Sequence, residues 1–201
     1  MSFFYKIAVL GAGGVGKSDL VLRFTQDRFE DNWDPTIEDQ YTTTFELDGF
    51  AVRLEILDTA GQEDFSHLLD IYLQEREAYL LVYSLTDAST LEKVCSIATF
   101  IFNTRGANTP IIFVGNKSDL EKEICIEKGA VSAYIESFKY AACYETSAKF
   151  NTNVKEAFYQ LVRLLWKRNK ERNCDIGISD IGIELPIPEE TEKRKKCCIF
   201  F

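Results

Sequence analysis

Apolar residues fall along the chain in three rhythms. Short unbroken runs, Ile7-Ala8-Val9-Leu10, Tyr79-Leu80-Leu81-Val82-Tyr83 and Ile111-Ile112-Phe113-Val114, have the composition of strands buried on both faces of a parallel sheet. Between Thr42 and Leu57 the pattern alternates. Val52, Leu54 and Ile56 are separated by Arg53 and Glu55, which predicts a strand with one covered face. Asp48-Gly49 interrupts this segment with the strongest short hairpin signal. Helical spacing predicts helices after Asp19 and near 66–77, 90–104, 127–141 and 153–171. The last is the clearest, with Val154, Phe158, Leu161, Val162 and Leu165 on one face and Asn153 and Glu156 spaced as a capping box. A further short strand is expected near Tyr144. Strands alternating with helices predict an α/β domain of three layers, its six-stranded sheet mostly parallel with one antiparallel hairpin strand. Ligands of such sheets bind beyond the carboxyl ends of the strands.

The rhythm stops near Asn173. Asp175-Ile176-Gly177-Ile178 is echoed by Asp180-Ile181-Gly182-Ile183, and Pro186 and Pro188 follow, a composition suited to an extended linker. One folded domain over 1–172 and a flexible tail over 173–201 are therefore expected, which suits a chain of 201 residues. The net charge of −9 argues against a nucleic-acid binder. No run of about 18 apolar residues is present to span a membrane. The residues before the first strand are too few for a signal peptide, and Ser2 stands where N-myristoylation needs Gly. The six cysteines form no C-x-x-C pair and read as reduced cytosolic thiols. A single histidine, His67, excludes His-based metal clusters.

Candidate chemistry begins where the first strand ends. Gly11-Ala12-Gly13-Gly14-Val15-Gly16-Lys17-Ser18 matches G-x-x-x-x-G-K-[ST], and strand, glycine loop and helix follow in the order a phosphate-binding loop requires. Its backbone N–H groups can cradle phosphates at the positive end of the helix, with Lys17 reaching the β- and γ-phosphates and the Ser18 hydroxyl on Mg²⁺. Asp58-Thr59-Ala60-Gly61-Gln62 closes the strand Val52–Leu57 and places a carboxylate opposite Ser18. Asn116-Lys117-Ser118-Asp119 follows the strand that ends at Gly115. A carboxylate at Asp119 can accept from both the N1–H and the exocyclic amine of guanine, whereas adenine would leave it unpaired. Ser147-Ala148-Lys149 supplies a second loop for the base.

These motifs, with Thr36, occur in the order of a Ras-type small GTPase, and the chain resembles that family over residues 5–171. Asp34-Pro35-Thr36-Ile37-Glu38-Asp39-Gln40-Tyr41 resembles the effector loop of Ras and Rap proteins. Leu57 stands where Rab proteins usually carry Trp, and Val82-Tyr83-Ser84 is similar to Rap and R-Ras members. The resemblance implies a switch that hydrolyses GTP to GDP with Mg²⁺ held by Ser18, Thr36 and, through water, Asp58. It implies that Gln62 orients the attacking water. Lys17 and the amides of Gly14, Val15, Gly16, Lys17 and Ser18 would bind phosphate, and Gly61 would sense the γ-phosphate. Gly13 and Gly14 would leave room for an activator's arginine. Phe29, Asn116, Lys117, Asp119, Ser147, Ala148 and Lys149 would hold the guanine. Partners implied are a GTPase-activating protein, a guanine nucleotide exchange factor and effectors with Ras-binding-type domains, acting on a monomer.

Two aromatic positions depart from the family pattern: Trp33 and Phe65 both stand where Tyr is common, and residues 121–142 match it poorly. The chain ends Cys198-Ile199-Phe200-Phe201, a C-a-a-X box whose terminal Phe favours geranylgeranylation of Cys198. Cys197 offers a site for a palmitoyl chain, and Lys193-Arg194-Lys195-Lys196 adds about 1 kcal/mol per charge on an anionic leaflet. The expected address is the cytoplasmic face of a membrane, the plasma membrane first. Two other readings compete: an ATP-using phosphotransferase, which has no need of Asn116–Asp119, and a module that holds GTP without turning it over.

Overall fold

The structure, a computed structural model of the chain, describes residues 2–29, 38–61 and 72–175, with side chains as far as 172. Trp33, Asp34, Pro35, Thr36, Ile37, Gln62, Phe65, Cys197 and Cys198, and most of the helix expected near 66–77, lie outside the described residues.

Six strands form one sheet: β1 (Ser2–Gly11), β2 (Glu38–Leu47), β3 (Phe50–Thr59), β4 (Ala78–Ser84), β5 (Ile111–Asn116) and β6 (Ala141–Glu145). Their order across the sheet is β2-β3-β1-β4-β5-β6, with only the β2–β3 pair antiparallel. Helices α1 (Lys17–Gln26), α2 (Ala88–Arg105), α3 (Ser132–Ser137) and α4 (Val154–Asp175) complete the layers, and residues 72–75 are also helical. Ile7 and Val9 of β1 join Leu20 of α1 and Phe158 and Trp166 of α4 in one core cluster. Ala8 and Leu10 join Val94 and Ile101 of α2 in the other. β4, β5 and the later half of β1 are covered on both faces, which is why these runs are apolar without alternation.

The hairpin forms as expected. Asp48 and Gly49 both have positive φ, 51° and 81°, as a two-residue loop of matching twist requires. The Asp48 carboxylate takes two hydrogen bonds from Arg163 of α4, at 2.8 and 2.7 Å, and these hold it below the usual carboxylate range.

Two expectations need correction. The helix expected over 127–141 is confined to Ser132–Ser137. Gly129 sits at φ 85° and breaks the backbone on one side, while Ala141 pairs with Ile111 as the first residue of β6 on the other. Ile126, Val131 and Phe138 anchor the segment to the core at intervals that suit no single helix face. Asn153 does not cap α4 in the expected box. It lies at φ 54°, whereas an N-cap residue is extended, and its side-chain amide donates to the Glu145 carbonyl at 2.9 Å.

Candidate functional site

Where β1 leaves the sheet the chain needs a residue with no side chain. A Cβ on Gly11 would lie 2.1 Å from the Val82 carbonyl oxygen of the neighbouring strand. The loop then turns through exposed Gly13 and Gly14, and Gly14 and Gly16 have φ of 70° and 90°. α1 begins at Lys17 directly after the loop, with Gly16 at its N-cap. A Cβ on Gly16 would approach the Asn116 side-chain nitrogen to 2.4 Å, so this glycine permits the loop to close on β5.

Beneath the loop lie two ionisable side chains with little to satisfy them. Lys17 is buried, and its ammonium donates to the loop's own carbonyls, Gly11 O at 3.2 Å and Ala12 O at 2.9 Å. Burial lowers it to about 8, opposed by the attraction of Asp58. Asp58, paired in register with Val9, is wholly buried and neither carboxylate oxygen has a hydrogen-bond partner of full geometry. Burial raises it to about 6, while the nearby Ser18 hydroxyl and Lys17 favour its anion. A buried carboxylate left unpartnered is costly unless a cation completes it. A carboxylate beside a hydroxyl is also a hard oxygen donor set suited to Mg²⁺, so these residues fit that ion. Gly61 packs on the same loop: a Cβ there would meet Gly13 N at 2.2 Å.

The loops expected to hold the base are knitted to one another. Asn116, at the end of β5, is buried and donates to Val15 O at 2.9 Å. Its Oδ1 accepts from Thr146 Oγ1 at 3.1 Å and from Ala148 N at 3.2 Å. Expected at the base, Asn116 ties the phosphate loop to the 146–148 loop. Asp119 accepts a 2.6 Å hydrogen bond from the Ser147 hydroxyl, which in turn accepts from Phe150 N at 3.1 Å. Lys117 holds φ 68°, Ala148 is buried, Lys149 is exposed and Phe29 is half-buried. Two contributors escaped the sequence reading, Thr146 and Arg23. Nothing in their spacing marks them, since both act through groups distant along the chain.

Glu38, Asp39 and Gln40 are exposed at the start of β2, which forms the edge of the sheet, and Tyr41 is half-buried. Glu38 is partly engaged: it accepts a 2.6 Å hydrogen bond from the Tyr72 hydroxyl. Thr36 and Gln62 fall outside the described residues, so the phosphate loop, Asp58, Gly61 and the two base loops are the parts of the site brought together here.

The family model for the Ras family matches residues 6–167. The Ras-related protein R-Ras of Homo sapiens is 38% identical over 193 residues, covering 96% of this chain and 83% of that protein.

Proposed function

As a member of the Ras family, to which this chain belongs, the protein is a small GTPase that hydrolyses GTP, and we propose that it is a membrane-tethered switch whose site is built as follows. The unpartnered carboxylate of Asp58 beneath the phosphate loop is the observation that carries this reading. Ser18, Thr36 and, through water, Asp58 hold Mg²⁺, which neutralises charge on the phosphate oxygens when bound. The amides of Gly14–Ser18 point at the phosphates from the helix N-terminus, and Lys17 leaves the loop carbonyls for the β- and γ-phosphates. Gln62 orients the attacking water and Gly61 senses the γ-phosphate. Gly13 and Gly14, exposed and small, admit an activator's arginine; in Ras, the type example rather than a result for this chain, that arginine adds on the order of 10⁵-fold.

Asp119 reads guanine with its remaining lone pairs, flanked by Lys117, Ser147, Ala148, Lys149 and Phe29. The GTP state presents Asp34–Tyr41, with its acidic edge, to effectors that carry a basic surface. The G domain is taken as residues 1–172. Tethering to the cytoplasmic face would fall to Cys198, with Cys197 and Lys193–Lys196 as second signals. No helix among the described residues is long and apolar enough to cross a membrane.

Single-turnover hydrolysis of GTP and of ATP by the purified protein tests the reading, with and without a Ras- or Rap-type activating protein. Slow, Mg²⁺-dependent cleavage of GTP alone, accelerated by the activator, is expected. Equal cleavage of ATP would overturn the assignment of Asp119, and no cleavage of GTP would leave a binding module.

A further inference from the structure

Arg23 lies on α1, outside the phosphate-loop and base motifs in sequence, yet its guanidinium bonds directly to the loop that carries Ser147, Ala148 and Lys149. Nε donates to Ala148 O at 3.0 Å, and one terminal nitrogen donates to Lys149 O at 3.2 Å. The other donates to Asp27 O at 3.0 Å and lies 3.5 Å from the Asp27 carboxylate. The guanidinium carbon also stands 5.9 Å from the centre of the Phe29 ring. The Arg23 side chain is only 15% exposed; its bond to Ala148 O is partly buried, while those to Asp27 and Lys149 face solvent.

The carbonyls it holds belong to the loop whose inner side carries base recognition. The Ala148 peptide is gripped at both ends, its N–H by Asn116 Oδ1 at 3.2 Å and its C=O by Arg23. One residue earlier, Ser147 holds Asp119 at 2.6 Å. Ser147 and Thr152 close the loop with two backbone bonds, and Asn151 donates to the Asp27 carboxylate at 3.1 Å. Asp27 therefore braces the loop's far limb while Arg23 braces its near limb. Both sit at the end of the helix that begins at the phosphate loop.

We propose that Arg23 is a positioning residue for guanine: it fixes the 147–149 loop and the Phe29 ring against α1, and through Ser147 it holds Asp119 in register with the base. The planar five-donor fork explains why arginine serves here. Its three nitrogens reach three carbonyls at once, a spread that the single ammonium of lysine cannot match. The proposal rests on the guanine-site reading given above.

The test follows release of methylanthraniloyl-GDP from the full chain in Mg²⁺, together with the affinity ratio of GDP to inosine diphosphate, which lacks the 2-amino group. Loss of these charge-assisted bonds from Arg23→Ala is expected to speed release by about tenfold or more. The GDP preference should shrink with it, because Asp119 loses its register with that amino group. Arg23→Lys should fall between Arg23→Ala and the unaltered protein, and it keeps the test informative if Arg23→Ala fails to fold. Arg163→Ala, which removes a bidentate ion pair at the distant hairpin, should leave both readings unchanged.

Release within twofold of the unaltered protein overturns the proposal. So does equal acceleration by Arg163→Ala, or faster release with an unchanged GDP preference, which would make Arg23 a general support only. An Asp119→Asn arm separates the two levels. If that variant turns to xanthosine diphosphate while Arg23→Ala changes nothing, Arg23 alone is misassigned. If it still prefers GDP, the base-site reading fails and the proposal falls with it.

Discussion

Nucleotide binding should draw protons onto this protein, in amounts set by Lys17. Burial under the phosphate loop holds its ammonium at about 8 against an ordinary value near 10.5, a difference of about 3 kcal/mol. A lysine lowered in this way contributes stability above 10.5 that is lost as pH falls through about 8. Asp58, raised from 3.8 to about 6, contributes stability below 3.8 that is lost as pH rises through 6. Near neutrality both groups are charged, buried and incompletely satisfied. Phosphates against Lys17 restore its proton affinity, so any protein that had lost the proton must take one up. With a value of about 8, roughly 0.1 of the lysine is neutral at pH 7, about 0.5 at pH 8 and about 0.9 at pH 9.

Titration calorimetry of GDP·Mg²⁺ into nucleotide-free protein, repeated in two buffers of different ionisation enthalpy at each pH, counts those protons. The nucleotide phosphates are already ionised in this range, since phosphate monoesters lose their second proton near a pKa of about 6. Net uptake should rise with pH from near zero at pH 7, where the roughly 0.1 proton that Asp58 would release to the cation offsets Lys17, towards the Lys17 proportions at pH 8 and 9. Uptake that is flat, or that falls between pH 7 and 9, would refute the claim that Lys17 is held near neutrality and meets the phosphates.

Gly11→Ala should destabilise the domain by about 1–3 kcal/mol in denaturant unfolding, because its Cβ would fall 2.1 Å from the Val82 backbone oxygen; an unchanged midpoint would show that the strand can shift. Gln62→Leu and Gly13→Val should keep nucleotide but resist activator-stimulated turnover, and normal stimulated rates in both would remove them from the mechanism. Asp39→Lys should weaken GTP-state partners without altering nucleotide affinity, Asp39 being exposed on the edge strand; equal loss of nucleotide would point to a folding defect. Cys198→Ser should move the protein from membrane to soluble fractions and Cys197→Ser should do so less, whereas unchanged fractionation of Cys198→Ser would discard the lipid anchor.

Much of this architecture is legible in the chain because its signals are local. Asp48-Gly49 specifies its turn through two positive φ values, and the unbroken apolar runs announce strands covered on both faces. The loop between β1 and α1 is legible for the same reason: its glycines, lysine and serine lie within eight consecutive residues. What escaped the reading acts over long separations or against local preference. Asn116 is 101 residues from the Val15 carbonyl it holds, and Arg23 is 125 from Ala148, so no spacing rule connects them. The segment before β6 misleads a periodicity argument because its buried residues are anchors for turns. Propensity there yields to the sheet, which claims Ala141 for a strand.

The two halves of the site stand in different states of readiness, and that difference divides the labour of binding. On the proposed base side, Asn116, Thr146, Ser147, Ala148 and Asp119 already satisfy one another, so little rearrangement would accompany recognition. Preorganised groups of this kind favour discrimination, because a wrong base leaves a fixed carboxylate without a partner that it cannot swing away to find. On the phosphate side Lys17 leans on its own loop's carbonyls and Asp58 has no full partner. There the protein holds unrelieved charge that a triphosphate and its cation would relieve. Affinity on this account comes mainly from the phosphate end and selectivity from the base end. Asn116 joins them, since the side chain that donates to the phosphate loop also accepts from the Ala148 N–H. Disturbing that one amide should therefore loosen both halves together, whereas a change at Asp119 or at Lys17 acts first on its own end.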